Sequence, residues 1–182
     1  MALKATIFKA HLQIADMDRG YYGDHQLTIA RHPSENDERM MIRLLAFVLF
    51  ANQNLQLGKG LSAVDEADLI ELDLTGAISR WIEVGQPDER TILKACGRAG
   101  QMVVLAYGAA AAIWWQGLAR KLDRARNLTV LAAPAEQAQA LTELTQRSMQ
   151  LQVTVQDGQV WFSDNQTTVQ LDPAIWQAAV SR

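Results

Sequence analysis

The run Val103 to Tyr107 is short and wholly apolar. A strand of that kind belongs where a sheet is covered on both faces. Its flanks agree with that placement. Pro87-Asp88 opens a helix that stops in the Gly97 to Gly100 region, Ala109 to Arg124 reads as a second helix, Leu128 to Ala132 as a strand, and Glu136 to Met149 as a third helix. Helix, strand, helix, strand, helix implies parallel strands joined by crossovers.

The two ends of the chain have a different period. Leu3 to Asp16 alternates, with Phe8, Ala10, Leu12 and Ile14 on one side and Ile7, Lys9, His11 and Gln13 on the other. That is a long strand with one buried face. Arg19-Gly20-Tyr21 signals a turn and Asp24 to Arg31 a second strand. Leu151 to Val155 and Gln159 to Ser163 flank Asp157-Gly158, a two-residue hairpin signal, with a third strand expected at Thr167 to Leu171. Between these regions Ser34 looks like a helix N-cap with Asp37 three positions on, and Met41, Leu44, Leu45, Val48 and Leu49 follow helical spacing. Gln53 to Ser62 reads as a loop. Ala67 to Leu74 and Ala77 to Val84 read as two strands about Thr75-Gly76. The predicted class is α/β, a mixed sheet with flanking helices and a hairpin added at each end. The 182 residues suit a single domain, and no linker divides them.

Composition narrows the setting. The longest apolar stretch, Met102 to Trp115, is broken by Gly108 and falls short of the roughly 20 residues of a membrane helix. Met1 to Ala10 alternates instead of forming a signal-peptide core, and the one cysteine, Cys96, has no disulfide partner. A cytoplasmic protein without a membrane partner is expected. The net charge of −3 and pI near 5.6 give no global basic field, so a nucleic-acid partner would need a local basic patch.

The chemistry concentrates in Asp65 to Gly76 and Trp81 to Asp88. Asp68 starts one strand of the expected hairpin and Glu83 lies near the end of the other. Antiparallel pairing brings those two ends together, where two carboxylates can hold one hard cation through oxygen. Such an ion activates water and neutralises charge on a phosphodiester. A simpler reading stands beside it, in which Asp68 is a turn residue and Glu83 a surface charge. Asp73 reads as a turn residue and Asp88 as a helix cap. Arg90, Lys94 and Arg98 recur at four-residue spacing on one helix face, either a solvated face or a phosphate-binding stripe.

Ala67-Asp68-Leu69, a turn, and Glu83-Val84-Gly85 resemble the core motif of the PD-(D/E)xK, restriction-endonuclease-like superfamily. The longer strings Leu3 to Ala10, Arg31-His32-Pro33-Ser34-Glu35 and Trp81 to Pro87 are similar to YaeQ proteins over nearly the whole chain. The resemblance implies a nuclease-like core over about residues 33–133. It implies Mg²⁺ or Mn²⁺ at Asp68 and Glu83, the Val84 carbonyl as a further ligand, and a phosphodiester hydrolase acting on nucleic acid. Gly85 stands where the motif lysine belongs, and Ala67 where the motif proline belongs. In some members of the superfamily the lysine sits on the following helix, which here makes Lys94 the displaced catalytic lysine. Gln86 becomes an accessory water-orienting group. The first helix of the superfamily often donates a glutamate to the metal site. Glu38, aligned with the apolar positions of its helix, matches, with Glu35 the alternative and the helix dipole a simpler reason for an acid there. The missing lysine and the acidic pI also favour a second reading, a non-catalytic nucleic-acid- or protein-binding module that keeps the fold.

The remaining candidates have plain readings. Arg39 and Arg43 either touch DNA or pair with Glu35 and Asp37. His11, His25 and His32 lack metal-ligand spacing and read as structural, Cys96 reads as a buried thiol, and Trp114-Trp115 reads as core or interface.

Overall fold

The structure is a computed structural model that describes residues 4–58 and 66–180. In chain order the elements are β1 (Thr6–Asp16), β2 (Tyr21–Arg31), α1 (Asp37–Leu49), β3 (Leu55–Leu57), β4 (Leu69–Leu72), β5 (Ile78–Val84), α2 (Glu89–Arg98), β6 (Gln101–Tyr107), α3 (Ala111–Leu122), β7 (Leu128–Ala133), α4 (Ala135–Leu141), β8 (Ser148–Gln156), β9 (Gln159–Ser163), β10 (Thr168–Leu171) and β11 (Ala174–Gln177). A short 3-10 turn, Thr142–Leu144, follows α4.

The alternating ends of the chain form one sheet. β1 pairs antiparallel with β2 from Thr6↔Arg31 to Asp16↔Tyr21, and parallel with β8 along its other edge, Leu12 facing Leu151. The order is β10-β9-β8-β1-β2. So the two terminal hairpins are not separate additions to a single mixed sheet. Each has an apolar face that needs covering, and pairing β1 with β8 lets one core cover both. The β8–β9 turn is the expected Asp157-Gly158, both residues at positive φ (53° and 76°), and the Asp18 carboxylate accepts both of their N–H groups.

The second sheet has the order β11-β7-β6-β5-β4-β3, with β5, β6 and β7 parallel and the other pairings antiparallel. β6 is covered on both faces, as its composition requires. Val103 and Leu105 join the core shared with α1, while Met102 and Val104 pack with Ile92, Trp115 and Leu122 of α2 and α3. Every residue of α1 from Met40 to Val48 is buried. A helix buried on every side is an interior helix, and α1 shares one core with Phe8, Leu12 and Leu151 of one sheet and Leu69, Ile82 and Leu105 of the other.

Several boundaries differ from the sequence reading. α1 is capped by Asn36, whose side chain accepts the Arg39 N–H, and not by Ser34, which is bonded to His32. The expected third helix stops at Leu141, because Met149, Leu151, Val153 and Val155 are buried in alternation and take the strand period. β3 occupies part of the expected loop Gln53 to Ser62, whose residues 59–62 lie outside the described ones, as does Leu3 of the first strand. β11 had no sequence signal. Among the described residues no helix is long and apolar enough to cross a membrane.

Candidate functional site

The parallel strands β5, β6 and β7 end on the same edge of the sheet. In open α/β sheets the carboxyl ends of the strands, where connections diverge, are where ligands bind. Here that edge is a cleft of about 750 Å³ lined by Glu83 to Pro87 after β5, Tyr107 to Ala110 after β6, and Glu38 and Arg39 from the start of α1.

Asp68 and Glu83 meet at this edge. The last ladder pair is Leu69↔Ile82, so the next step outward sets Asp68 opposite Glu83. Asp68 is buried, and its Oδ2 accepts the Val84 N–H at 2.8 Å. Glu83 is held by the Trp81 indole N–H at 2.9 Å. Burial pushes the Glu83 carboxyl up to about 8, and the neighbouring Asp68 charge and a hydrogen bond to Asp68 push the same way. At neutral pH the Glu83 carboxyl therefore keeps its proton.

A guanidinium completes the group. Arg39 Nη2 donates to both oxygens of Asp68 at 2.9 Å and to the Val84 carbonyl at 3.3 Å, while its Nη1 donates to Glu35 at 2.9 Å. Glu35 is itself buried and bonded by the fully buried Arg43 at 2.7 Å. Against the desolvation of burial, Asp68 and Glu35 raise the Arg39 pKa above its ordinary value. The chain Arg43–Glu35–Arg39–Asp68 therefore alternates in charge and fixes Asp68 from behind. Arg39 and Arg43 do pair with Glu35 as one reading held, whereas Asp37 pairs with Arg31. The buried acid near the start of the helix is Glu35, not Glu38. Glu38 is half-buried and lines the cleft, but among the described residues no three of His, Cys, Asp and Glu gather closely enough to hold a metal ion.

Lys94 lies on the other side of Glu83. It lines a second hollow of about 280 Å³ with Trp81, Glu83, Thr91, Arg90 and Arg98, so Glu83 forms the wall between hollow and cleft. Arg98 stacks on the Trp81 ring at 4.9 Å from its centroid. The three cations of α2 stand on the solvent side, and Asp88 caps their helix by accepting the Thr91 N–H. Gln86 donates to the Tyr107 carbonyl at 3.1 Å, at the cleft rim. Gly85 has φ of +108°, a backbone that L side chains rarely adopt, while its N–H bonds Leu105.

A family model described as YaeQ protein matches residues 1–173. This chain belongs to the YaeQ family. It is 46% identical to the YaeQ protein of Salmonella typhi and 45% identical to that of Escherichia coli strain K12, each over 179 residues, 97% of this chain and 98% of the relative. Among solved structures it resembles the YaeQ protein of Xanthomonas axonopodis pv. citri, with TM-score 0.93 and 48% identity, covering 96% of this chain and 99% of that one. The YaeQ protein of Pseudomonas syringae follows with TM-score 0.91 and 33% identity, covering 96% and 97%. The YaeQ fold is thus the one described above, two sheets about a buried helix. What the sequence left out of the site is Arg39 as the partner of Asp68. The Glu35, Arg39, Arg43 spacing was the available signal.

The histidines stay apart from the site, His11 bonded to Gln150, His25 to Tyr21 and His32 to Ser34. Asp73 serves its turn, accepting from Thr75 and Ala77. Cys96 is half-buried, Trp115 is core, and the Trp114 indole donates to the Pro87 carbonyl.

Proposed function

We propose that the chain is a divalent-metal-dependent phosphodiester hydrolase acting on nucleic acid, built on a core related to the PD-(D/E)xK nucleases. One observation carries this: Asp68 and Glu83 stand opposite each other at the carboxyl edge of the sheet, with Lys94 in the hollow walled by Glu83. The donor set is hard oxygen, two carboxylates and the Val84 carbonyl, which fits Mg²⁺ or Mn²⁺. Two protein carboxylates also suit Mg²⁺, which keeps several waters and takes further oxygens from substrate phosphate. Bound there, the ion would supply an activated water and charge neutralisation.

The chain's own groups divide the rest of the work. Lys94 aims a cation at the scissile group from the α2 side, where Arg90 and Arg98 extend the field along a backbone. Gln86 at the cleft rim orients water, and Glu38 accepts hydrogen bonds from waters further in. A lysine at position 85 would be strained by φ of +108°, a physical reason for the motif's cation to come from α2 instead. Hydrolysis of single- and double-stranded DNA and RNA with Mn²⁺ tests this. Glu83→Gln and Lys94→Met should each lower turnover at least about 100-fold with the fold retained. Full turnover in Glu83→Gln rejects the reading.

A second reading has its own observation. Arg39 already neutralises Asp68, so the site is electrostatically settled as a binding surface without any ion. Salt-sensitive binding of nucleic acid with no cleavage in any metal would select it.

A further inference from the structure

Arg39 stands where a cation bound to Asp68 would act. Its Nη2 covers both Asp68 oxygens and touches the Val84 carbonyl, which are two of the three ligand groups assigned above. A metal ion and a guanidinium repel each other and compete for the same lone pairs. The two ends of the guanidinium are held differently. Nη1 is bonded to Glu35, a buried carboxylate that Arg43 pins from the interior. Nη2 is bonded at the cleft, which Arg39 itself lines. The Glu35 end is the natural pivot, because the bond there is to a buried carboxylate oxygen that no ion arriving in the cleft would take over.

We propose that Arg39 is a displaceable internal counter-ion, which holds Asp68 in the resting protein and transfers its Nη2 hydrogen bonds to the substrate phosphate when the divalent ion binds. This rests on the metal-dependent hydrolase reading. The transfer keeps the arginine paired throughout. A phosphodiester oxygen replaces the carboxylate as acceptor, a pairing to which the planar guanidinium is well suited. It also couples the two ligands. Metal alone must expel Arg39 with nothing to receive it, so metal alone binds weakly. An anion in the cleft receives Arg39 and strengthens the metal site, and by linkage the metal strengthens anion binding by the same factor.

The test is calorimetric titration of Mn²⁺ into the full chain, with and without saturating dimethyl phosphate, for wild type and Arg39→Met. Wild type should bind Mn²⁺ about tenfold tighter with dimethyl phosphate present. Arg39→Met should bind Mn²⁺ about tenfold tighter than wild type without it, and lose the enhancement. If wild type binds Mn²⁺ and Arg39→Met binds no tighter, or keeps the enhancement, the counter-ion role is overturned and the metal site stands. If neither protein binds Mn²⁺ under either condition, the hydrolase reading fails and this role with it. Should Arg39→Met not fold, nitrogen-15 NMR of the wild-type Arg39 guanidinium decides with Mg²⁺. Rotation restricted without metal and released on adding it supports the displacement, and a signal unchanged at saturating Mg²⁺ overturns it.

Discussion

Replacing Glu83 with glutamine isolates the energetic cost built into the site. The carboxyl titrates at about 8 in the folded chain against 4.5 for the ordinary group. A folded-state value above the unfolded one means the native protein binds the extra proton. Stability is then fully present below about 4.5 and is lost as pH rises, the loss levelling off above about 8. Each pH unit in that window removes about 1.4 kcal/mol, so the penalty near pH 7 is about 3 kcal/mol, which water at the partly exposed carboxyl screens to about 2 kcal/mol. Glutamine carries no such term, yet it keeps an oxygen for the Trp81 indole and offers an N–H to Asp68. Urea unfolding at about pH 5 and about pH 7 should therefore show Glu83→Gln near wild type at the lower pH and about 2 kcal/mol more stable at the higher. An equal difference at both values would mean that Glu83 ionises as an ordinary surface acid, and the raised Glu83 carboxyl described above would be wrong.

Two other substitutions probe the frame around the pair. Arg43→Met leaves Glu35 buried with only Arg39 to answer it, and should cost about 3–5 kcal/mol in urea unfolding, whereas a loss below about 1 kcal/mol would show Arg43 to be ordinary packing. Gly85→Ala meets open space, since among the described residues no atom beyond its chain neighbours lies within 4 Å of the added methyl, but must hold φ of +108°; thermal unfolding should register about 1–3 kcal/mol of backbone cost, and a neutral result would remove strain as the reason for glycine there.

The parts of the fold legible in the sequence are those whose cause is local. Val103 to Tyr107 names its own surroundings by composition, and Asp88 and Asp157-Gly158 act through bonds to their immediate neighbours. The joining of β1 to β8 is not local. Nothing in either strand's pattern distinguishes a partner far along the chain from none at all, so two hairpins were expected where one sheet forms. The site divides the same way. Asp68 and Glu83 follow from the ends of one hairpin. Glu38 was singled out because it aligned with apolar positions, but a helix buried on all sides from Met40 to Val48 has no unique apolar face, so alignment carries no information. Glu35 precedes the helix cap yet keeps four-residue spacing to Arg39 and Arg43, so the spacing marks the pairing, while the reach of Arg39 on to Asp68 across the sheet edge is not local and leaves no pattern.

The parallel seam between β1 and β8 also orders events during synthesis. β1 leaves the ribosome long before β8 and is completed only when β8 arrives, because Lys9 to Asp16 take their second row of partners from Ser148 to Val155. Until then the β1–β2 hairpin offers an unpaired edge beside an apolar face, the combination that recruits strands from other chains. Contacts so distant in sequence also close slowly. Nascent or C-terminally shortened chains lacking β8 are consequently the aggregation-prone species of this protein, and chaperone capture of the growing chain should persist until β8 has emerged.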